Sequence, residues 1–354
     1  MAACPGPGPF PAAPYHRLLA SVGVQDPSGW IAHWQREPAL AGLLTRHHGR
    51  GTSLTWGVVL PLLEALRRSA AAGTRPVVGL SGLPGSGKTT LTTHLIELAD
   101  AVGLRLAVAS IDDLYFPGEE LERSMAGNPW QAPRALPGSH DVDLLLQQLA
   151  RWRSGAPLRL PRFDKSLREA RGDRTGWWQR EADVLLLEGW FLGCRPRGDT
   201  ELQELLRVGS LSSEHGLDAP ESAWLLRTDR KLTDYLPLWQ EFESLWLLRP
   251  LRPALTRRWK AQQEAGMRRA TGRCLSGEDR ERFVRMILNG LPDALYHRPL
   301  LDDGASSADA VAILSGRRRC LWSGLLADLP DGGLAAGEPA AAQLSSSADS
   351  SSIG

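Results

Sequence analysis

Cysteine is scarce in this chain of 354 residues: Cys4, Cys194, Cys274 and Cys320 stand far apart. No C-x-x-C pair occurs, which argues against a zinc site, and a disulfide framework does not suit a chain of this size. A reducing, cytoplasmic setting is the expectation. Net charge is also nearly absent, because 41 Lys and Arg against 40 Asp and Glu leave +1. That balance provides no bulk attraction to nucleic acid or an anionic membrane, so neither is expected as a partner. Arginine far outnumbers lysine, which reads as the mark of a GC-rich genome rather than of a binding surface. No apolar run is long enough to span a bilayer. The first twenty residues lack a basic stretch followed by an apolar core, so no secretory signal is expected. No internal repeat is evident.

What is present is a globular composition, 42% apolar and 23% charged. The length suits one large α/β domain with additions, or two domains. Residues 1–14 are rich in Pro, Gly and Ala and are expected to be loose. Residues 15–75 read as a helical N-terminal extension. Within it Trp56, Val59, Leu60, Leu63, Leu66 and Arg67 fall on one helix, with Leu63 and Leu66 inward. Residues 76–326 carry the chemistry, and residues 327–354 turn into Ala, Gly and Ser, a composition expected to be disordered.

Five short apolar runs mark the central region: Val77 to Leu80, Leu106 to Ile111, Val184 to Leu187, Leu245 to Leu248 and Val311 to Leu314. They alternate with helical patterns, among them Thr89 to Ala101, the basic stretch Leu255 to Ala270, and Glu278 to Leu291 with Ser276 as N-cap. Alternation of this kind predicts a parallel sheet covered on both faces. Between the first run and its helix stands Gly82-Leu83-Pro84-Gly85-Ser86-Gly87-Lys88-Thr89, a full match to the Walker A pattern, followed by Thr90. Glycines let backbone N–H groups turn toward phosphates, and the following helix points its positive end at them. The pattern assigns Lys88 to the β- and γ-phosphates and the Thr89 hydroxyl to Mg²⁺, so ATP and Mg²⁺ are the expected cofactors.

The loop alone names no reaction. A guanine-reading N-K-x-D segment is missing. LSGED at Leu275 to Asp279 is a faint echo of an ABC signature, but the run Leu185 to Leu187 ends in Glu188-Gly189 rather than Asp-Glu, and the segment reads better as a helix start. Two acidic sites follow apolar runs: Asp112 and Asp113 after the second, Glu188 after the third. Strand ends of a parallel sheet line the ligand crevice, so these carboxylates are expected to face the loop. One can take a proton from an attacking hydroxyl and another can hold Mg²⁺. Asp113 has an equally good reading as a cap of the next turn.

The order strand, D-x-x-Y, then strand, E-G resembles the phosphoribulokinase, uridine kinase and pantothenate kinase group. The series SIDDLYFP, RALPGSHD, LPRFDKS, RGDR and LLLEGWFLG, with WKAQQEAGMR later, resembles D-glycerate 3-kinases of the plant and cyanobacterial type and their fungal ATP-binding relatives. The resemblance covers about Val77 to Tyr296. It implies a three-layer α/β/α P-loop NTPase fold with a mostly parallel sheet and a lid, the lid falling at about 250–275. It implies Asp112 as general base, Glu188 as metal organiser, and Arg268 as a lid contact. Leu114, Ala135 and Ser139 depart from the family's usual Phe, Gly and Thr.

D-glycerate as the implied acceptor is a small anion with hydroxyls. Within the acceptor segment, about 112–180, the cationic and polar candidates are Arg134, His140, Arg162, Lys165, Arg171 and Arg174, with Asp141, Asp164 and Asp173 to orient them. A lone arginine reads first as a surface charge, and His140 reads equally well as a buried structural histidine. Arg134, His140, Asp164, Lys165 and Arg174 are the favoured set because they sit in the family-like motifs. Two other readings stay open: a kinase of the same group with a nucleoside or pantothenate-like acceptor, and a non-catalytic ATP-binding protein. The sequence does not fix the oligomeric state.

Overall fold

The computed structural model describes residues 6, 10–47, 51–209, 216–271, 276–302, 304 and 307–330. Cys4, Cys274 and residues 331–354 lie outside this set, while Cys194 and Cys320 are buried free thiols.

Eight strands are present among the described residues: β1 (Val77–Gly82), β2 (Leu106–Ser110), β3 (Leu158–Asp164), β4 (Asp173–Arg180), β5 (Val184–Gly189), β6 (Phe242–Pro250), β7 (Ala310–Leu314) and β8 (Cys320–Leu325). Six form one sheet in the order β2-β5-β1-β6-β7-β8, parallel throughout except for the antiparallel edge strand β8. Strands β3 and β4 form a separate antiparallel hairpin.

The five apolar runs are β1, β2, β5, β6 and β7, and their residues divide between two faces with the strand period of two. Val78, Leu80, Val184, Leu186, Trp246 and Leu248 enter one core with Leu40, Leu43, Leu63 and Leu66 of the N-terminal helices and Leu91, Leu95 and Leu98 of the phosphate-loop helix (Lys88–Ala101). Val77, Leu185, Leu187, Leu245, Leu247, Val311 and Ile313 enter the other. That second core is closed by the helices Val142–Arg153, Ala219–Leu232 and Gly277–Gly290. The result is a three-layer α/β/α sandwich with both sheet faces covered, the arrangement continuous apolar strands require.

The N-terminal part differs in detail from its expectation. The first helix (Ala12–Ser21) begins inside the stretch read as loose, and Phe10 is buried edge-on against Tyr15. The helix carrying Leu63 and Leu66 (Leu60–Ala71) is preceded by a π-helical turn (Thr55–Val59). The N-terminal segments meet the chain at and just after β8. Ser323 donates to the Gly57 carbonyl at 2.5 Å, the Cys320 amide donates to Ser53 Oγ at 3.1 Å, and Arg17 pairs with Asp328 at 2.6 Å. The turn Leu326–Asp328 after β8 runs into the composition read as tail.

No helix among the described residues is long and apolar enough to cross a membrane. The basic helix is observed as Leu255–Thr271, and Ser276 caps the next one by accepting the Asp279 amide at 3.0 Å.

Leu186 is fully buried on the central strand β5. Leu186→Ala is expected to cost about 2–5 kcal/mol of stability through lost transfer energy and a cavity, measured by urea unfolding.

Candidate active site

The register of the sheet builds the site. In β5, Glu188 stands level with Leu80 of β1 and Ser110 of β2, so the loop after β1 and the turn after β2 emerge beside it. Gly85 sits at φ 80°, and a Cβ there would stand 2.8 Å from Trp259 Cβ, so the loop closes only with glycine at that position. Lys88 folds back and donates to the Gly82 carbonyl at 2.5 Å, with Glu188 3.8 Å away. Burial lowers the Lys88 pKa, while Glu188 and Asp112 oppose that shift. Thr89 and Thr90 are exposed on the first turn of the helix, and Ser86 Oγ is buried without a hydrogen-bond partner. A glycine-lined loop, an orphaned hydroxyl and a helix N-terminus fit the phosphates of a nucleotide.

Among the described residues no three His, Cys, Asp or Glu side chains converge on a metal position. Magnesium takes one or two protein oxygens and completes its shell with phosphates and water, so a hydroxyl and a carboxylate beside the loop are the donors it would need. Thr89 and Glu188 are the groups of this chain suited to it.

After β2 the chain enters a 3₁₀ turn (Ile111–Leu114), capped by Ser110 Oγ, which accepts the Asp112 amide at 3.3 Å. Ser110 is thus the cap of the turn that contains both Asp112 and Asp113. Burial raises the Asp113 carboxyl, against the amides of Ser110 and Phe163. Residues three apart eclipse in a 3₁₀ turn, and Tyr115 Oη donates to Asp112 Oδ1 at 2.8 Å. Lys165 Nζ, reaching from the β3–β4 hairpin, donates to Asp112 Oδ2 at 2.6 Å. Burial pushes the Asp112 carboxyl up, but the Lys165 ammonium and the Tyr115 hydroxyl outweigh it, and Asp112 is held below the usual carboxylate range. Asp112 raises the Lys165 pKa in return.

His140 is buried and stacks on Tyr115, with ring centroids 4.5 Å apart, and its Nδ1 lies 2.7 Å from Tyr235 Oη. Burial pushes its pKa down to about 4. The remaining acceptor candidates hold the frame. Arg134 donates to the carbonyls of Ala170 and Arg171, both at 2.8 Å. Arg174 ties the Tyr115 carbonyl to Asp141, and Asp164 accepts from Ser166 in the hairpin turn. Asp173 accepts the Gly118 amide, Arg171 pairs with Glu122, and Arg162 lines a cavity of about 780 Å³ with Asp113, Phe163 and Lys165. The hairpin turn is itself strained, with Arg168, Glu169 and Ala170 at φ 50°, 56° and 66°.

In the basic helix, Arg257 pairs with Glu281 and Lys260 lies over the Phe283 ring. Arg268 belongs to this helix, but its side chain lies outside the described residues. Sequence reading missed Arg318, in the β7–β8 turn, which donates to the Gly85 carbonyl at 2.5 Å and to Gln262 at 2.7 Å. It also assigned nothing to Tyr115 or Tyr235. The spacing of Tyr115 from Asp112 was the available signal. Tyr235 and Arg318 have none in their local sequence.

Comparison with known proteins gives these arrangements a context. Over 252 residues the chain is 28% identical to the chloroplastic D-glycerate 3-kinase of Arabidopsis thaliana, a match covering 68% of this chain and 51% of that protein. The chain thus spans about half the length of that relative. It is 29% identical over 239 residues to mug58, an uncharacterized kinase of Schizosaccharomyces pombe, covering 64% of this chain and 84% of that one. The solved D-glycerate 3-kinase from Cryptococcus neoformans superposes with a TM-score of 0.65 at 24% identity, covering 75% of this chain and 98% of that chain. The chain is similar to the D-glycerate 3-kinase type of P-loop kinase. Its fold is the P-loop NTPase fold. A family model described as methylmalonyl Co-A mutase-associated GTPase MeaB matches residues 59–116, a small part of the chain that includes β1, the phosphate loop and β2.

Ala135 adopts φ 99°, a left-handed conformation costly for a side chain and open to glycine. Ala135→Gly should therefore stabilise the protein by about 0.5–1 kcal/mol, read as a raised urea midpoint. His140 makes a second, pH-dependent prediction. Its folded pKa of about 4 lies below the ordinary 6.5, so below pH 6.5 the unfolded chain binds a proton that the folded protein refuses. Its contribution is whole above pH 6.5 and is lost as pH falls toward 4, about 3 kcal/mol in all. Urea unfolding at several pH values should show wild type losing on the order of 2–3 kcal/mol more than His140→Gln across that window.

Proposed function

We propose that this chain is an ATP-dependent kinase of a small molecule, and that the acceptor is D-glycerate, converted to 3-phosphoglycerate. The observation that carries the reading is the meeting of an ionised carboxylate, Asp112, with a lysine-bearing phosphate loop and Glu188 at adjoining strand ends. The glycerate part is supported by the similarity to D-glycerate 3-kinases and by a cation, Lys165, beside the proposed base.

In this reading the backbone amides of residues 82–89 hold the phosphates and Lys88 leaves the Gly82 carbonyl for the β- and γ-phosphates. Thr89 and Glu188 would hold magnesium, which would offset charge on the transferred group. Asp112 takes the proton of the acceptor hydroxyl, whose oxygen bonds to the γ-phosphorus as the bond to the bridging oxygen breaks and ADP leaves. The basic helix Leu255–Thr271, including Arg268, serves as a lid that limits access of water.

Asp112→Asn keeps the size and removes the base. It should lower acceptor-stimulated ADP release by at least about 10²-fold while ATP affinity stays near wild type. Near-normal turnover in this variant would sink the base assignment. Screening D-glycerate, uridine and pantothenate in the same assay tests the acceptor, and a preference for either of the latter two would overturn glycerate.

A further inference from the structure

The two oxygens of Asp112 are held in very different ways. Oδ1 accepts the Tyr115 hydroxyl, and the Tyr115 ring is wedged between the His140 ring and the edge of Phe163, 5.0 Å away. His140 is tied to Tyr235, whose oxygen accepts the Gly138 amide at 3.0 Å. Tyr115, His140 and Tyr235 are all core residues, so this partner of the carboxylate cannot move without disturbing the interior.

Oδ2 is held from outside. Its partner Lys165 follows the last residue of β3, at the entry to the left-handed turn, and keeps 53% of its side chain exposed against 28% for Asp112. The open cavity beside it is lined by Asp113, Arg162 and Phe163. Each carboxylate oxygen can accept more than one hydrogen bond, but Oδ1 is held by the buried Tyr115 while the partner of Oδ2 lines the open cavity. The incoming hydroxyl therefore approaches Oδ2, where Lys165 stands in its way.

With its ammonium half exposed, the pair opens and closes, and an anion that takes the ammonium favours the open state. Water offers no such anion. A hydroxy acid does, since its carboxylate can receive Lys165 while its hydroxyl replaces Lys165 on Oδ2. A neutral polyol has the hydroxyl without the exchange.

We propose that Lys165 is a displaceable cap on Asp112 Oδ2, which withholds the base from water until an anionic hydroxy acid draws the cap away, with Tyr115 as a positioning residue that keeps the carboxylate in place. The proposal rests on the kinase reading above for the role of Asp112. It carries a consequence for an uncapped protein. Asp112 Oδ2 is then free to take a proton from water, whose oxygen bonds to the γ-phosphorus as the bridging bond breaks, giving ADP and inorganic phosphate.

The test compares wild type with Lys165→Met, which keeps the stem and removes the charge, and with the Asp112→Asn, Lys165→Met double variant. Without acceptor, Lys165→Met should hydrolyse ATP at least tenfold faster than wild type, and the double variant should lose that gain. Calorimetric titration without nucleotide should show D-glycerate binding to wild type at least tenfold more tightly than to Lys165→Met, and no measurable binding of glycerol to either. Tyr115→Phe should lower kcat with D-glycerate while leaving its calorimetric affinity within about twofold, a split that general loss of structure would not produce. Hydrolysis by Lys165→Met at or below the wild-type rate overturns the cap. Glycerol binding as tightly as D-glycerate overturns the hydroxy-acid requirement. Failure of the kinase reading looks different: no protein turns over ATP with any acceptor, which removes the cap on a base, and the D-glycerate titration then stands for or against anion capture by Lys165 alone.

Discussion

The hydrogen-bonded ladder along both edges of β1 is the constraint from which the site follows. β5 on one side and β6 on the other run parallel to it, so their C-terminal ends open on the same side of the sheet. The phosphate loop is the continuation of β1, Glu188 is the end of β5, and Asp112 follows β2, which pairs with β5. Close packing enforces the register. A Cβ on Gly79 would meet Leu245 and Phe242 of β6 at about 3 Å, so strand and neighbour fit at that spacing only with glycine. Apolar burial on both faces then leaves this edge of the sheet as the place where polar chemistry can gather.

The charges gathered there are paired in an orderly way. The chain has four lysines, and two of them face carboxylates at the site: Lys88 beside Glu188, and Lys165 on Asp112. The arginines nearby brace carbonyls and turns, as Arg134 and Arg174 do. This division suits the two side chains. A guanidinium fixed by several donors makes a good strut, whereas an ammonium on a flexible stem can exchange partners. An overall charge near neutrality therefore coexists with a strongly polar local field.

The sequence made one half of this plain and hid the other. The five strands of the parallel sheet could be read because each is a continuous apolar run, buried on both faces. The phosphate loop could be read because its glycines and its Lys-Thr are fixed by backbone geometry and chemistry within eight residues. The hairpin β3–β4 gave no such signal: β3 mixes buried Leu158 and Leu160 with exposed Arg159 and Arg162 around Pro161, and β4 is mostly exposed, Trp177 included. β8 was hidden for a different reason. It is packed against the N-terminal helix Ala12–Ser21, a contact between segments about 300 residues apart. In space, Arg134, His140, Lys165 and Arg174 lie around Asp112 or its supporting turn, and Asp164 lies in the hairpin turn. Which of them has a free end and which is spent on the backbone depends on long-range contacts such as Tyr235 with His140, 95 residues apart, and no local pattern encodes that.

The arginine clamp on the phosphate loop bears on the order in which the protein becomes competent during synthesis. Arg318 holds the Gly85 carbonyl across 233 residues of sequence, and the strand it precedes is the one against which the N-terminal helices close. A ribosome makes the loop early and its fastener late. A chain that has emerged only through β6 therefore carries the phosphate-loop sequence without the brace that Arg318 gives it.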